Sequence, residues 1–346
     1  MIIGGTMNQI ARYQPHWIRE DFIDFIGEKI DPLWAWKRVK AKIVLKQALS
    51  EDFIQIELRP NHHFNYKAYQ AGQSIAITLV INGIRRQRHY SIVNILDNGD
   101  IIIAVKRQGL VSKALTDLTI NSIVEISNPE GEFVLANTGN PLLLIASGSG
   151  VTAIYALIKQ ALKSQMSSID FIYFTRDDAY HAEFKSLSLT YPHFKYHHIN
   201  TLEQRQHITA ALLKKLVSHY AFADTYACGA AKMMATLQKI YDKAEISSHL
   251  HREYYQLPVS EKIVAQPVTF LRSQQDFQAD SDLLSSAEQA GLKPKHGCRM
   301  GICNSCSCTK ISGSVRNMLT GEVDHQNNSQ IKLCISQAMS PVTIQL

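Results

Sequence analysis

The sequence of 346 residues predicts a multidomain chain: an antiparallel β-barrel, an α/β nucleotide-binding domain and a small cysteine-rich domain. Three observations predict it. Residues 40–135 read as short alternating strands, residues 140–164 as an apolar strand, a glycine-rich turn and a helix, and "HGCRMGICNSCSCTK" at 296–310 packs four of the six cysteines into eleven positions. The expected boundaries are an N-terminal extension at 1–38, the barrel at 39–137, the α/β domain at 138–250, a linker at 251–264 and the cysteine-rich domain at 265–346.

Hydrophobic residues at 45% and charged residues at 19% are those of a folded chain with ample core. The formal charge of +6 is spread along the sequence. It implies a mild bias toward acidic partners or a membrane surface, and no nucleic-acid partner. The longest apolar stretch, "PLLLIA" at 141–146, falls far short of the ~20 residues that span a bilayer. The start "MIIGGTMNQIARYQPHW" lacks the basic start, apolar core and cleavage site of a signal peptide, so a cytoplasmic location is expected. Thiols there stay reduced, which favours metal or redox chemistry over structural disulfides for the cysteines.

In the barrel region Ile54, Ile56 and Leu58 alternate, as do Ile75, Ile77 and Leu79. Asn82-Gly83 supplies a two-residue hairpin turn before "IRRQRHYSI". Arg88 and Tyr90 then share a strand face, where a guanidinium suits a phosphate and a phenol ring covers a flavin, with the Ser91 hydroxyl close by. On their own these residues also describe an exposed Arg and Tyr. Downstream, Gly109-Leu110-Val111-Ser112 follows a strand and offers the run of free N–H groups that a pyrophosphate requires.

In the next region Ile154, Leu157, Ile158 and Leu162 fall on one helix face. Gly148, Ser149, Gly150 and Thr152 thereby reach a helix N-terminus after a buried strand, a setting for an anionic dinucleotide more than for a plain surface turn. "IDFIYFTRD" ends in Thr175 and Arg176. The arginine suits a 2′-phosphate and so NADPH over NADH, while Asp177 and Asp178 beside it pull the other way. "TYACGAAKMM" ends a further strand with Cys228-Gly229-Ala230, where Cys228 is either part of a site or a plain core cysteine.

Cys298, Cys303 and Cys306 follow C-x4-C-x2-C, and Cys334 lies 28 positions past Cys306. That is the plant-type [2Fe–2S] spacing: one tight loop supplies three thiolates and a separate element the fourth. Gly297, Gly301, Ser305 and Ser307 leave room for N–H groups to approach the sulfurs. Structural zinc usually takes two short C-x2-C pairs instead. Cys308 does not fit the set and reads as a buried bystander.

With "PVTFLRS", "QDFQAD" and "SDLLSSAEQAGLKPK" before the cysteines and "VTIQL" after them, residues 265–346 resemble a plant-type ferredoxin domain, which implies a β-grasp fold. Arg-x-Tyr-Ser followed by Gly-x-x-Ser resembles the ferredoxin–NADP reductase superfamily. That resemblance implies that Arg88, His89, Tyr90 and Ser91 hold the flavin and its phosphate, and that Gly109, Leu110, Val111 and Ser112 cradle the FAD pyrophosphate, favouring FAD over FMN. It puts Val105 and Lys106 near the flavin and adenosine. Gly148, Ser149, Gly150, Thr152, Thr175, Arg176, Cys228 and Gly229 fall to the nicotinamide dinucleotide, with Ser91 and Cys228 at the reacting rings. Ala230 departs from the family's usual Pro, and Thr-Ala at 152–153 from Thr-Pro. Glu253 and Tyr254 match an acidic–aromatic pair facing the flavin. His62, His63, His197 and His198 show no metal spacing and read as surface.

The expected activity is electron transfer from NAD(P)H through FAD to a [2Fe–2S] cluster and on to a partner protein. "DFIDFIGEKIDPLWAWKRVKAKIV" resembles the start of bacterial reductases that serve membrane-bound acyl desaturases, which makes a fatty acyl desaturase the leading partner. Phe22, Ile23, Phe25, Ile26 and Ile30 fit an amphipathic helix that docks this partner or the inner face of the membrane, or else covers the reductase core. A Rieske-type or other multicomponent oxygenase is the alternative partner, and a redox-sensing iron–sulfur flavoprotein the alternative of another class.

Overall fold

The computed structural model describes residues 20–136, 138–164, 166, 168–255 and 264–346. Helix α1 (Glu20–Ile30) leads to the barrel, formed by β1 (Val39–Ala48), β2 (Phe53–Pro60), β3 (Ser74–Ile81), β4 (Ile84–Ile95), β5 (Ile101–Lys106) and β6 (Ile123–Ile126). The strands close in the order β1-β2-β5-β4-β3-β6, every pairing antiparallel. Asn82 (φ 51°) and Gly83 (φ 75°) make the β3–β4 turn, because the two-residue hairpin needs left-handed backbone at both positions. The alternating residues point inward: Ile56, Leu58, Ile75 and Ile77 are wholly buried in one core with Ile43, Ile92 and Ile103. Helix α2 (Leu110–Asp117) packs Val111 and Leu115 onto the same core.

Helix α1 is tied down by buried Asp24. Burial raises this carboxyl's pKa, but the Trp36 N–H (2.7 Å) and the Arg38 guanidinium outweigh it and hold the group below its ordinary value. Lys40 adds an ion pair to Glu28 at 2.6 Å. The side chain of Phe22 lies outside the described ones; Phe25, Ile26 and Ile30 stand exposed.

The second domain holds β7 (Leu142–Ser147), α3 (Val151–Lys163), β8 (Ile169–Thr175), α4 (His181–Thr190), β9 (Phe194–Asn200), α5 (Ala210–Leu216), β10 (Asp224–Cys228), α6 (Ala231–Lys243) and β11 (Leu250–Glu253). The sheet is parallel, in the order β11-β10-β7-β8-β9, so the chain reverses direction across the sheet between β7 and β10. Ligands of such sheets bind in the crevice at that reversal. Residues 251–253, expected in a linker, instead pair with β10 and cover the sheet edge. The one-faced helix expected at 154–162 is buried from Val151 to Ile158 all round, because β4 of the barrel packs against α3 opposite the sheet. His197 and His198 are only half exposed: His197 Nε2 sits 3.3 Å from the buried carboxylate of Asp170.

The third domain has β12 (Gln266–Phe270), β13 (Gln275–Ala279), α7 (Leu283–Gln289), β14 (Ser307–Ser312), β15 (Val315–Asn317), β16 (Val323–Asp324), β17 (Ser329–Lys332), β18 (Ser336–Ala338) and β19 (Val342–Ile344). Its main sheet runs β13-β12-β19-β14-β17, with β12 and β19 parallel at the centre and α7 packed against it, the β-grasp arrangement. Lys310 is wholly buried in it, its ammonium bonded to the carbonyls of Gly313 (2.7 Å) and Asp324 (3.0 Å), which pins the turn after β14. No helix among the described residues is long and apolar enough to cross a membrane.

Candidate active site

A cavity of about 470 Å³ opens beside β4 and the N-terminus of α2. Arg88, His89, Tyr90 and Ser91 line it together with Gly109, Leu110, Val111 and Ser112, so two motifs 18 residues apart in sequence converge on one space. The amides of Leu110, Val111 and Ser112 precede the first intrahelical bond, from the Lys113 N–H to the Gly109 carbonyl, and are therefore free for an anion. Arg86, two residues before Arg88, also lines the cavity, and its buried Nε has no partner. An orphaned guanidinium nitrogen beside a free helix N-terminus fits a flavin carrying phosphates. Sequence reasoning passed over Arg86, although the strand period already set it on the face of Arg88 and Tyr90. The same period corrects Val105. Its side chain lies in the barrel core, while Ala104 and Lys106 face the cavity.

A second cavity of about 480 Å³ lies along the carboxyl ends of β7, β8 and β10. Gly148, Ser149, Thr175, Arg176 and Gly229 line it, as do His207 and Lys232, which the sequence reading missed. Gly150 and Thr152, expected beside them, are placed differently. A Cβ on Gly150 would stand 2.1 Å from the Cys228 carbonyl oxygen, so Gly150 lets α3 press against β10. Thr152 faces the first cavity, and its hydroxyl meets the Ser149 carbonyl (3.1 Å) and the Tyr255 hydroxyl (2.9 Å).

The two cavities adjoin: Lys106, Gln108, Ser149 and Tyr255 line both. The aromatic residue at this seam is Tyr255 and not Tyr254, whose hydroxyl is directed to the Leu319 carbonyl in the third domain. Tyr255 joins Ser91 to Thr152 through its hydroxyl, and burial holds that phenol well above its ordinary pKa. Beneath it Cys228 is wholly buried, and burial pushes its thiol up as well, the opposite of the lowered pKa of a reactive cysteine. Burial also raises Glu253 to about 8, and its Oε2 lacks a partner.

The cysteine loop forms the third wall. Cys298, Cys303, Cys306 and Cys334 converge as free thiols. The amides of Met300 and Ile302 donate to Cys298 Sγ at 3.3 Å, that of Cys298 donates to Cys303 Sγ at 3.2 Å, and the sulfurs of Cys306 and Cys334 are 3.2 Å apart. The four share protons unevenly: contact with Cys303 draws Cys298 down and contact with Cys334 brings Cys306 to about 7, while Cys303 and Cys334 are pushed up in return. Four enclosed sulfurs with amides aimed at them fit a thiolate-held cluster. Gly297 makes the wrap possible, since a Cβ there would come within 2.8 Å of Cys303 Sγ, and Gly301 turns the loop at φ 79°. Ser307 points to solvent and makes no room. Cys308 is buried in the sheet, its thiol pushed up to about 12. Met300 of this loop lines the flavin-motif cavity, so the sulfur nest and that cavity share a wall.

Residues 40–135 match the oxidoreductase FAD-binding domain family, residues 144–239 the oxidoreductase NAD-binding domain family, and residues 268–339 the 2Fe-2S iron-sulfur cluster binding domain family. The chain is a ferredoxin–NADP reductase-type oxidoreductase with a fused [2Fe–2S] domain. Among the relatives of this reductase, an NADPH oxidoreductase of Mycobacterium tuberculosis is 28% identical, covering 89% of the chain and 84% of the relative. The phthalate dioxygenase reductase of Burkholderia cepacia is 25% identical over 87% of the chain and 95% of its own length. A solved phthalate dioxygenase reductase, described as modular for electron transfer from pyridine nucleotides to [2Fe–2S], shares the fold at TM-score 0.59 and 24% identity, covering 89% of this chain and 97% of that one.

The reductase is thus an NAD(P)H-oxidising enzyme that carries FAD and a [2Fe–2S] cluster. Bound together, these groups take electrons in pairs from the nicotinamide and release them singly through the cluster. The protein's part is placement. Barrel and α/β sheet present adjoining cavities, Tyr255 closes their seam, and the loop around Met300 brings the four thiolates to the flavin side.

Proposed function

We propose that this reductase draws on NADPH and delivers single electrons to a membrane-bound acyl desaturase. Two lines support NADPH. Arg176, Lys232 and His207 line this cavity, and among the described residues no Asp or Glu does. Asp177, which the sequence sets against a 2′-phosphate, is held by Lys106 at 2.8 Å. Arg176→Ala should lower kcat/KM for NADPH by about tenfold or more, the worth of one charge-assisted hydrogen bond, and leave NADH oxidation unchanged. Equal losses with both nucleotides would refute the preference.

Within the proposal, Ser91 is the hydroxyl nearest the reacting ring and is held there by Tyr255, while Cys228 packs behind the nicotinamide. The partner reading is carried by α1. Phe25 (55% exposed), Ile26 (48%) and Ile30 (87%) stand out from a helix anchored to the barrel by Asp24. The test is acyl-chain desaturation in vesicles holding a desaturase, driven by NADPH. Replacing Phe25, Ile26 and Ile30 with Ser should uncouple it while ferricyanide reduction persists. A second reading, an oxygenase partner, is favoured by relatives named for phthalate dioxygenase and 3-ketosteroid-9-alpha-monooxygenase. Efficient coupling to a Rieske oxygenase with none to the desaturase would select it.

A further inference from the structure

His89 sits inside the arginine–tyrosine–serine motif, but its side chain is on the other side of β4 from Arg88 and Tyr90. It is buried, and it is the one histidine among the described residues that meets the cysteine nest. A ring nitrogen of His89 and the sulfurs of Cys298 and Cys303 all lie within 4.8 Å of one another. The barrel closes on the loop at this point. Gln87 Oε1 would be 3.0 Å from a Cβ on Gly297, and Ile302 lies against Gly131.

The imidazole has one partner and one orphan. Nδ1 is 3.3 Å from the Ser74 hydroxyl, while Nε2 is buried with no hydrogen bond. A buried ring nitrogen without a partner is costly, and two cysteine sulfurs lie within reach of this ring. A ligating thiolate accepts and does not donate. The Ser74 hydroxyl has one proton and two acceptors, Nδ1 at 3.3 Å and the Glu130 carbonyl at 3.4 Å; given to Nδ1, it leaves the ring's own proton on Nε2.

We propose that His89 is a positioning residue of the electron relay: its Nε2–H donates a hydrogen bond to the ligand sulfur of Cys298 or Cys303, joining the flavin barrel to the cluster and raising the cluster's reduction potential. The inference rests on the relay reading and adds to it a tuning group that lies outside the cysteine set. Donated hydrogen bonds favour the reduced, more negative cluster, as the backbone amides of the loop also do. His89 differs from those amides in coming from the donor domain, so the same contact fixes the distance between the two redox groups.

Pulsed EPR of the full-length protein with its cluster reduced, labelled with ¹⁵N-histidine, is the first measurement. A weak histidine nitrogen coupling is expected. No coupling overturns the proposal, and a strong one also overturns it by making His89 a ligand. His89→Phe should lose the coupling and shift the cluster's one-electron equilibrium about tenfold toward the oxidised form, ~59 mV in an EPR redox titration. His89→Gln keeps an N–H donor and should recover part of the shift. An unchanged potential in His89→Phe overturns the tuning role. Should His89→Phe fail to hold its cluster, the wild-type spectrum decides alone. A wild-type protein that holds no cluster defeats the relay reading itself, whereas an intact cluster without nitrogen coupling defeats only the inference.

Discussion

Lys106 and Asp177 form a half-buried ion pair of 2.8 Å that joins the end of barrel strand β5 to the turn after β8. Lys106 lines both cavities, and Asp177 follows Arg176 directly, so on the proposed NADPH reading the pair sets the charge beside Arg176. Asp177→Asn removes a negative charge beside Arg176 and should raise the NADPH to NADH ratio of kcat/KM. Lys106→Ala leaves Asp177 uncompensated and should lower it. A partly solvated pair is worth about 0.5–1 kcal/mol, or roughly two- to fivefold. Both effects should shrink as salt rises toward ~1 M. Ratios moving in the same direction would contradict the assignment.

The contact between Gly150 and Cys228 allows no added atom. A methyl group on Gly150 meets backbone, the Cys228 carbonyl oxygen at 2.1 Å and the Gly229 nitrogen at 2.8 Å, and neither can swing aside as a side chain would. Gly150→Ala should force α3 away from β10, cost about 1–3 kcal/mol in stability as overpacking does, and abolish NAD(P)H-driven bleaching. Dithionite should still reduce its cluster, because the nest lies in another domain. Gly109→Ala is the stability control, since its Cβ meets nothing nearer than Ser112 Oγ at 3.9 Å. Equal melting temperatures for the two variants would refute the argument.

The third domain separates ligand from bystander. Cys308 lies two residues after Cys306 but sits one strand position inside β14, paired with Ile331, and burial keeps its thiol protonated. Cys308→Ala should retain the visible and EPR spectra of the cluster with a modest loss of stability. Cys303→Ala should lose them. A spectrum that survives Cys303→Ala and fails in Cys308→Ala would exchange their roles.

Much of this was legible in the residues because it follows short rules. The C-x4-C-x2-C spacing needs one loop, alternation fixed the barrel faces, and Asn82-Gly83 has few conformations open to it. What escaped depends on contacts between distant segments. The helix at 154–162 shows one apolar face in sequence, and the burial of its other face by β4 cannot be read from its own periodicity. Tyr255 was missed in favour of Tyr254 because the two differ only in which way β11 leaves the sheet. Lys232 and His207 carry no local motif and reach the nucleotide cavity through the order of the parallel strands. Val105 was misplaced by the resemblance, whereas the two-residue period of β5 would have turned it into the core.

Glu253 provides a pH test. It ends β11 beside Cys228, buried with Oε2 unpaired, and burial raises its pKa from 4.5 to about 8. The folded protein therefore keeps this proton up to pH ~8, whereas the unfolded chain releases it near 4.5. Between those values the unfolded state binds fewer protons, so stability falls as pH rises and levels off above ~8. Glu253→Gln carries no such proton. It should melt close to the wild type at pH 4.5, above it by a growing margin toward pH 8, and by a constant margin beyond. Thermal melts of the holoenzyme at pH 4.5, 6, 7, 8 and 9 measure this margin. A margin independent of pH would mean that Glu253 is ionised in the fold and paired with a cation.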